Sequence, residues 1–165
     1  MIDVDYVKGD LIEMIKSRSC DFAAHGCNCF HTMGAGIARQ LNELTDGDLI
    51  LADKETEYGD INKLGFYSTA YYVKPFDQRV VPIYNLYTQY TIAKSGCVAV
   101  HWDSVLEALL GVIENMKSGE TLAIPYIGCG LAGGSIEDFK SVIGELKERE
   151  DFLPDIKLLV VEYEK

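Results

Sequence analysis

The chain is short of basic side chains: 15 Lys and Arg stand against 26 Asp and Glu, a formal net charge of −11. The basic residues form no block. Tracking a phosphate backbone takes clustered cations, so no extended nucleic-acid surface is expected. Apolar runs of membrane-spanning length are also missing, and no membrane partner is expected. The first residues, Met1, Ile2 and Asp3, lack the basic start of a secretory leader, which makes the cytoplasm the expected compartment. Cysteine comes in an odd number, five, at positions 20, 27, 29, 97 and 129, mostly in apolar or glycine-rich settings. These read as reduced thiols and not as a disulfide frame. The three histidines and the scattered cysteines show no metal-ligand spacing, so neither a metal nor a cofactor is expected. In so acidic a chain, a bound phosphate must be held by backbone N–H groups and helix ends in a local pocket.

What is present is an alternation of strand and helix patterns over 165 residues, a length that suits one domain spanning 1–165. Residues 2–7 alternate as a strand, 11–16 form a short amphipathic helix, and 21–25 read as a buried strand. A loop of small and polar residues, 26–36, leads into helical spacing at Ile37, Leu41 and Leu44. Residues 45–64 are polar and mixed, with one more short helix or loop expected. Segments 66–73 and 79–87 are aromatic and β-branched, with 74–78 as the turn between neighbouring strands. Ser104 and Glu107 have capping-box spacing ahead of an apolar stripe from Val105 to Met116, and Ser118-Gly119 reads as its stop. Residues 121–127 form the next strand, Ser135 caps a helix carrying Phe139, Val142, Ile143 and Leu146, and 156–163 form the last strand. The expected architecture is a three-layer α/β/α domain with a mixed, mostly parallel central sheet.

Between the strand at 121–127 and the cap at Ser135 lies Gly128-Cys129-Gly130-Leu131-Ala132-Gly133-Gly134. Four glycines at a strand-to-helix junction let backbone N–H groups approach a ligand, and the next helix N-terminus favours an anion. The segment satisfies G-x-G-x-x-G, but on the second-to-last strand, where no second mononucleotide half can follow. A nicotinamide dehydrogenase is therefore disfavoured, and a P-loop fails because no G-K-[ST] follows either glycine cluster. A phosphate-cradling loop survives. Its counterpart at 33–36 follows another strand, and ligands on such sheets gather at the carboxyl ends of strands.

Four segments in this order, 7–11, 25–29 with 33–38, 124–131 and a closing strand with Tyr163, resemble a macrodomain, the ADP-ribose-binding α/β module, over essentially the whole chain. The H-x-C-N-C stretch from His25 to Cys29 looks most like the yeast-type ADP-ribose 1″-phosphate phosphatases, with short phage and bacterial macrodomains also close. The resemblance implies that Asp10, beside Leu11, accepts a hydrogen bond from the adenine amino group; a helix N-cap is the alternative and both can coexist. It implies that Tyr163 packs on the adenine, where a plain core aromatic is an equal reading. Gly34, Ala35, Gly36, Ile37 and Ala38 resemble the first binding loop. Pro125, Gly128, Cys129, Gly130, Leu131 and Ala132 resemble the second, which closes over the diphosphate. Without a ligand, both would be tight turns.

Asn28 resembles the asparagine that holds the distal ribose, and His25 the histidine of the phosphatase-type loop, able to exchange a proton near neutral pH. A structural histidine is the alternative, and His31 is a weaker catalytic candidate. Two departures bear on the reaction. Gln89 follows Asn85-Leu86-Tyr87-Thr88 where related glycohydrolases use a lysine, and Ala132 stands where some relatives place an aspartate. The resemblance therefore implies a monomer binding ADP-ribose or ADP-ribose 1″-phosphate and hydrolysing the terminal phosphate. Alternatives are a non-catalytic ADP-ribose reader and a hydrolase of ADP-ribosylated protein or nucleic acid.

Overall fold

The structure, a computed structural model, describes residues 1–34, 36–92, 98–130 and 132–164. Its strands are β1 (Ile2–Gly9), β2 (Phe22–Cys27), β3 (Tyr67–Val73), β4 (Val80–Tyr87), β5 (Thr121–Ile124) and β6 (Ile156–Tyr163). Its α-helices are α1 (Leu11–Lys16), α2 (Gly36–Leu44), α3 (Asp48–Lys54), α4 (Trp102–Ile113) and α5 (Ile136–Glu148). The sheet order is β1-β6-β5-β2-β4-β3. Every neighbouring pair is parallel except β3 with β4, an antiparallel hairpin closed by the turn at 74–78. This is the mixed, mostly parallel sheet that the alternation of patterns implies.

Strand side chains alternate between two cores because successive residues point to opposite faces. Leu122 and Ile124 of β5, with Leu158 and Val160 of β6, pack under α4 and α5 together with Leu109, Val112, Phe139 and Leu146. Ala123, Val161, Ala23 and Ile83 face the other way, against Leu11, Ile12 and Ile15 of α1, Leu41 of α2 and Leu49 of α3. A parallel sheet covered on both faces places its connections, and hence its loops, at the two edges.

Element ends show which local signals prevailed. Ser135 caps α5 as its spacing implies, its hydroxyl accepting from Asp138 N at 3.0 Å. Ser104 does not cap α4. That helix begins at Trp102, because the His101 carbonyl already accepts from Ser104 N and Val105 N while His101 N is tied to the Thr88 carbonyl. The helix also ends at Ile113, ahead of the expected stop; Met116 stays buried on a turn, and Gly119 follows with a φ of 92°. Strand β5 stops at Ile124 because Pro125 has no N–H to continue a ladder. The mixed stretch 45–64 holds α3 and a 3-10 turn, Ile61–Lys63.

Leu122 sits at the sheet centre with no exposure. Leu122→Ala is expected to cost about 2–5 kcal/mol through lost burial and a cavity. Urea unfolding should show a lower midpoint with an unchanged slope.

Candidate ligand-binding cleft

Strands β1, β2, β4, β5 and β6 all run parallel, so their carboxyl ends share one edge of the sheet. Two hollows lie along that edge. The larger, about 770 Å³, is lined by Asn28, His31, Thr32, Gly34, Gln89 and Ile92 among others. The smaller, about 510 Å³, is bounded by Leu11, Gln40, Ile136, Val161, Glu162 and Tyr163. They share Gly36, Ile37, Pro125, Tyr126 and Gly130, which makes them one elongated cleft with a waist.

The waist is built from backbone. On one side α2 begins at Gly36, with no acidic residue in its first turn, and Gly36, Ile37 and Ala38 line the larger hollow. First-turn N–H groups have no intrahelical acceptor and carry the positive end of the helix dipole. On the other side the second glycine loop is cinched by a Gly134 N–H to Gly128 carbonyl bond of 2.7 Å and tied to its neighbour by Ala99 N–H to the Ala132 carbonyl at 2.8 Å. Gly128 has a φ of 83°, and a Cβ there would stand 2.5 Å from Val100 Cγ2. A Cβ on Gly134 would meet Trp102 Cζ2 at 2.5 Å. These two glycines are fixed by packing. Gly130, by contrast, faces open space in the cleft wall.

Behind the larger hollow runs a buried polar network. His25 Nε2–H donates to Asn85 Oδ1 at 2.7 Å. Asn85 Nδ2 donates to the Leu49 carbonyl at 3.1 Å and to Ser68 Oγ at 3.0 Å. Ser68 reaches Tyr87 OH at 2.8 Å, and that hydroxyl donates to Asp53 Oδ1 at 2.8 Å. Lys63 Nζ donates to Thr56 Oγ1 at 3.0 Å and lies 4.9 Å from the Tyr87 ring centroid. Burial pushes the Tyr87 phenol up, more strongly than its hydroxyl partners Ser68 and Thr56 pull it down. Burial also lowers the His25 pKa, outweighing its bond to Asn85, so the ring is held neutral.

The four described thiols are all held above the ordinary thiol range. Burial raises Cys20 to about 12 and pushes Cys27, Cys29 and Cys129 upward as well. All four described cysteines are free, which agrees with their reading as reduced thiols; Cys97 lies outside the described residues.

No protein-family model matches the chain. It is 33% identical over 162 residues to an uncharacterized 17.5 kDa protein from the tk-vs intergenic region of Enterobacteria phage T4, covering 98% of this chain and 97% of that protein. Among solved structures, the macrodomain of Mycobacterium tuberculosis DarG superposes with a TM-score of 0.67 at 21% identity, covering 98% of this chain and 97% of that one. Thermosipho africanus DarTG in complex with ADP-ribose superposes with a TM-score of 0.58 at 17% identity, over 96% of this chain and 41% of that one. The chain has the macrodomain fold and belongs to one family with the phage protein.

The cleft of this macrodomain-fold chain gathers most of the residues singled out from sequence. Leu11, Gly36, Ile37, Pro125, Cys129, Gly130 and Tyr163 line the smaller hollow; Asn28, Gly34, Ala38, Gly128 and Ala132 line the larger. Ala35 and Leu131 lie outside the described residues. Asp10 does not line either hollow, and its Oδ1 caps α1 by accepting from Ile12 N at 2.9 Å. The capping reading prevails for that oxygen.

His25 is a further candidate from sequence that the structure brings to the cleft. It borders the larger hollow, but with 1% exposure its Nε2 proton is committed to Asn85 and its environment opposes the charged form. Asn28 is likewise engaged: its Oδ1 accepts from Phe30 N at 2.8 Å and its Nδ2 donates to Thr32 Oγ1. To hold a ribose hydroxyl, that amide would have to exchange Thr32 for the ligand.

Cleft-lining residues missed from sequence include Tyr126, Thr32, Gln40, Ile92 and Val161. Tyr126 was hidden in the apolar run 121–127, whose strand ends before it at Pro125. The proline was the signal available.

Because His25 resists protonation when folded, the unfolded chain binds more protons below its ordinary pKa of about 6.5, and stability falls with pH there. The slope is at most about 1.4 kcal/mol per pH unit. Urea unfolding at about pH 7.5 and 5.5 should show a larger loss in the wild type than in His25→Gln. Equal losses would show that His25 is not held neutral.

Proposed function

We propose that the cleft binds ADP-ribose lengthwise and that the protein hydrolyses ADP-ribose 1″-phosphate to ADP-ribose and phosphate. The observation that carries the binding is the waist. Two hollows join where a helix N-terminus meets a glycine loop, a setting suited to a diphosphate linking two nucleoside-like ends. The smaller hollow, where Leu11, Val161 and Tyr163 offer contact surface, suits adenine, and the larger, with Asn28, Thr32 and Gln89, suits the distal ribose and its substituent. A neighbour of this fold, Thermosipho africanus DarTG, is in complex with ADP-ribose.

The choice of reaction follows from what the distal hollow holds. Gln89 offers no amine to attack an anomeric carbon, and its Nε2 is bonded to the Thr91 carbonyl at 2.9 Å. Ala132 supplies no carboxylate to activate water there. A phosphate monoester carries its own charged oxygens and needs donors and one proton-transfer group. The sealed state of His25 favours a second reading, in which ADP-ribose is bound without turnover.

Calorimetry with ADP-ribose and phosphate release from ADP-ribose 1″-phosphate separate the two. Binding with release supports the enzyme, binding alone supports the reader, and no binding removes both. Gly130→Glu adds a carboxylate to the wall where the side chain has room. It should weaken ADP-ribose at least about tenfold, near 1.4 kcal/mol, with unchanged thermal stability. Unaltered affinity would place the diphosphate elsewhere.

A further inference from the structure

The three histidines have different surroundings. His25 is sealed beneath the cleft, and His101 is exposed ahead of α4, outside the cleft lining. His31 is half-buried and lines the larger hollow.

Its orientation is set from behind. His31 Nε2 lies 2.9 Å from the Thr56 carbonyl oxygen, which can only accept, so Nε2 carries a proton and Nδ1 is the nitrogen left to exchange one. Thr56 is itself anchored: its backbone N donates to the Asp53 carbonyl at 3.0 Å, its hydroxyl to the same carbonyl at 2.6 Å, and Lys63 Nζ donates to that hydroxyl at 3.0 Å. The ring edge also packs on Tyr58, with centroids 5.4 Å apart.

The backbone of His31 is held in the left-handed region, φ 55°, which a residue with a Cβ seldom adopts. Asn28 brackets it on both sides, accepting from Phe30 N and donating to Thr32. A strained backbone, a fixed tautomer and a place in the cleft wall coincide at this one side chain.

We propose that His31 is the general acid/base of the distal hollow. This rests on the reading of the cleft as an ADP-ribose 1″-phosphate site. A water attacks the terminal phosphorus and gives one proton to His31 Nδ1. The bond between phosphorus and the ribose oxygen breaks with its electron pair on oxygen, and that oxygen takes the proton back from Nδ1. The sum is addition of one water across one P–O bond, with His31 returned to its starting form. The Thr56 carbonyl stabilises the transient imidazolium through Nε2–H.

The test uses the full chain, with His31→Ala and His31→Gln, in three readouts: ADP-ribose affinity by calorimetry, kcat for phosphate release, and imidazole nitrogen NMR of the wild type. Both variants should bind ADP-ribose within about threefold of wild type and lose at least about 100-fold in kcat. The Nδ1 resonance of His31 should move when ADP-ribose 1″-phosphate is added. A kcat within threefold in His31→Ala overturns the assignment. So does an unmoved Nδ1 at saturating ligand, or wild-type binding without phosphate release. Absence of any ADP-ribose binding instead overturns the reading of the cleft.

Discussion

The His25–Asn85 hydrogen bond ties together the elements on which the cleft depends. It joins β2 to β4 in the middle of the sheet, and through Asn85 Nδ2 it reaches α3 and β3. Buried polar groups hold a fold together only when every partner is present, since an orphaned one costs about 1–3 kcal/mol. Here the chain of partners continues through Ser68 and Tyr87 to Asp53, whose neighbour Thr56 reaches both Lys63 and His31. The loop after β2 is thereby tied, at His31, to the segment that follows α3. The polar floor of the larger hollow is part of the sheet's own hydrogen bonding.

On this floor the cleft divides its tasks by chemistry. Main-chain N–H groups at α2 and the second glycine loop supply positive potential in a chain of net charge −11, without the cost of burying a lysine. Leu11, Val161 and Tyr163 line one end of the cleft, and Asn28, Thr32 and Gln89 line the other. An acidic protein can hold a diphosphate in this way because the attraction is local and directional.

Much of this was legible in the sequence wherever one local signal ruled. The periodicity of 11–16 and 156–163 reproduces α1 and β6, and Ser135 announces α5 through its own hydroxyl. Signals that depend on distant partners misled. The Ser104 capping box is overridden because His101, pinned to Thr88, starts the helix earlier. His25 looks catalytic from its position at a strand end, and nothing near it in sequence announces its burial or its bond to Asn85, 60 residues away. His31 is the converse case. Nothing near it in sequence predicts Thr56 as its partner, 25 residues away.

The cleft's reading as a diphosphate clamp is tested most directly by a crystal structure of the protein with ADP-ribose. The account predicts the diphosphate within hydrogen-bond distance of the backbone N–H groups of Gly36, Ile37 and Gly130, with adenine against Leu11 and Val161 and the distal ribose beside Asn28 and His31. A diphosphate lying outside the waist, or an adenine in the larger hollow, would contradict it.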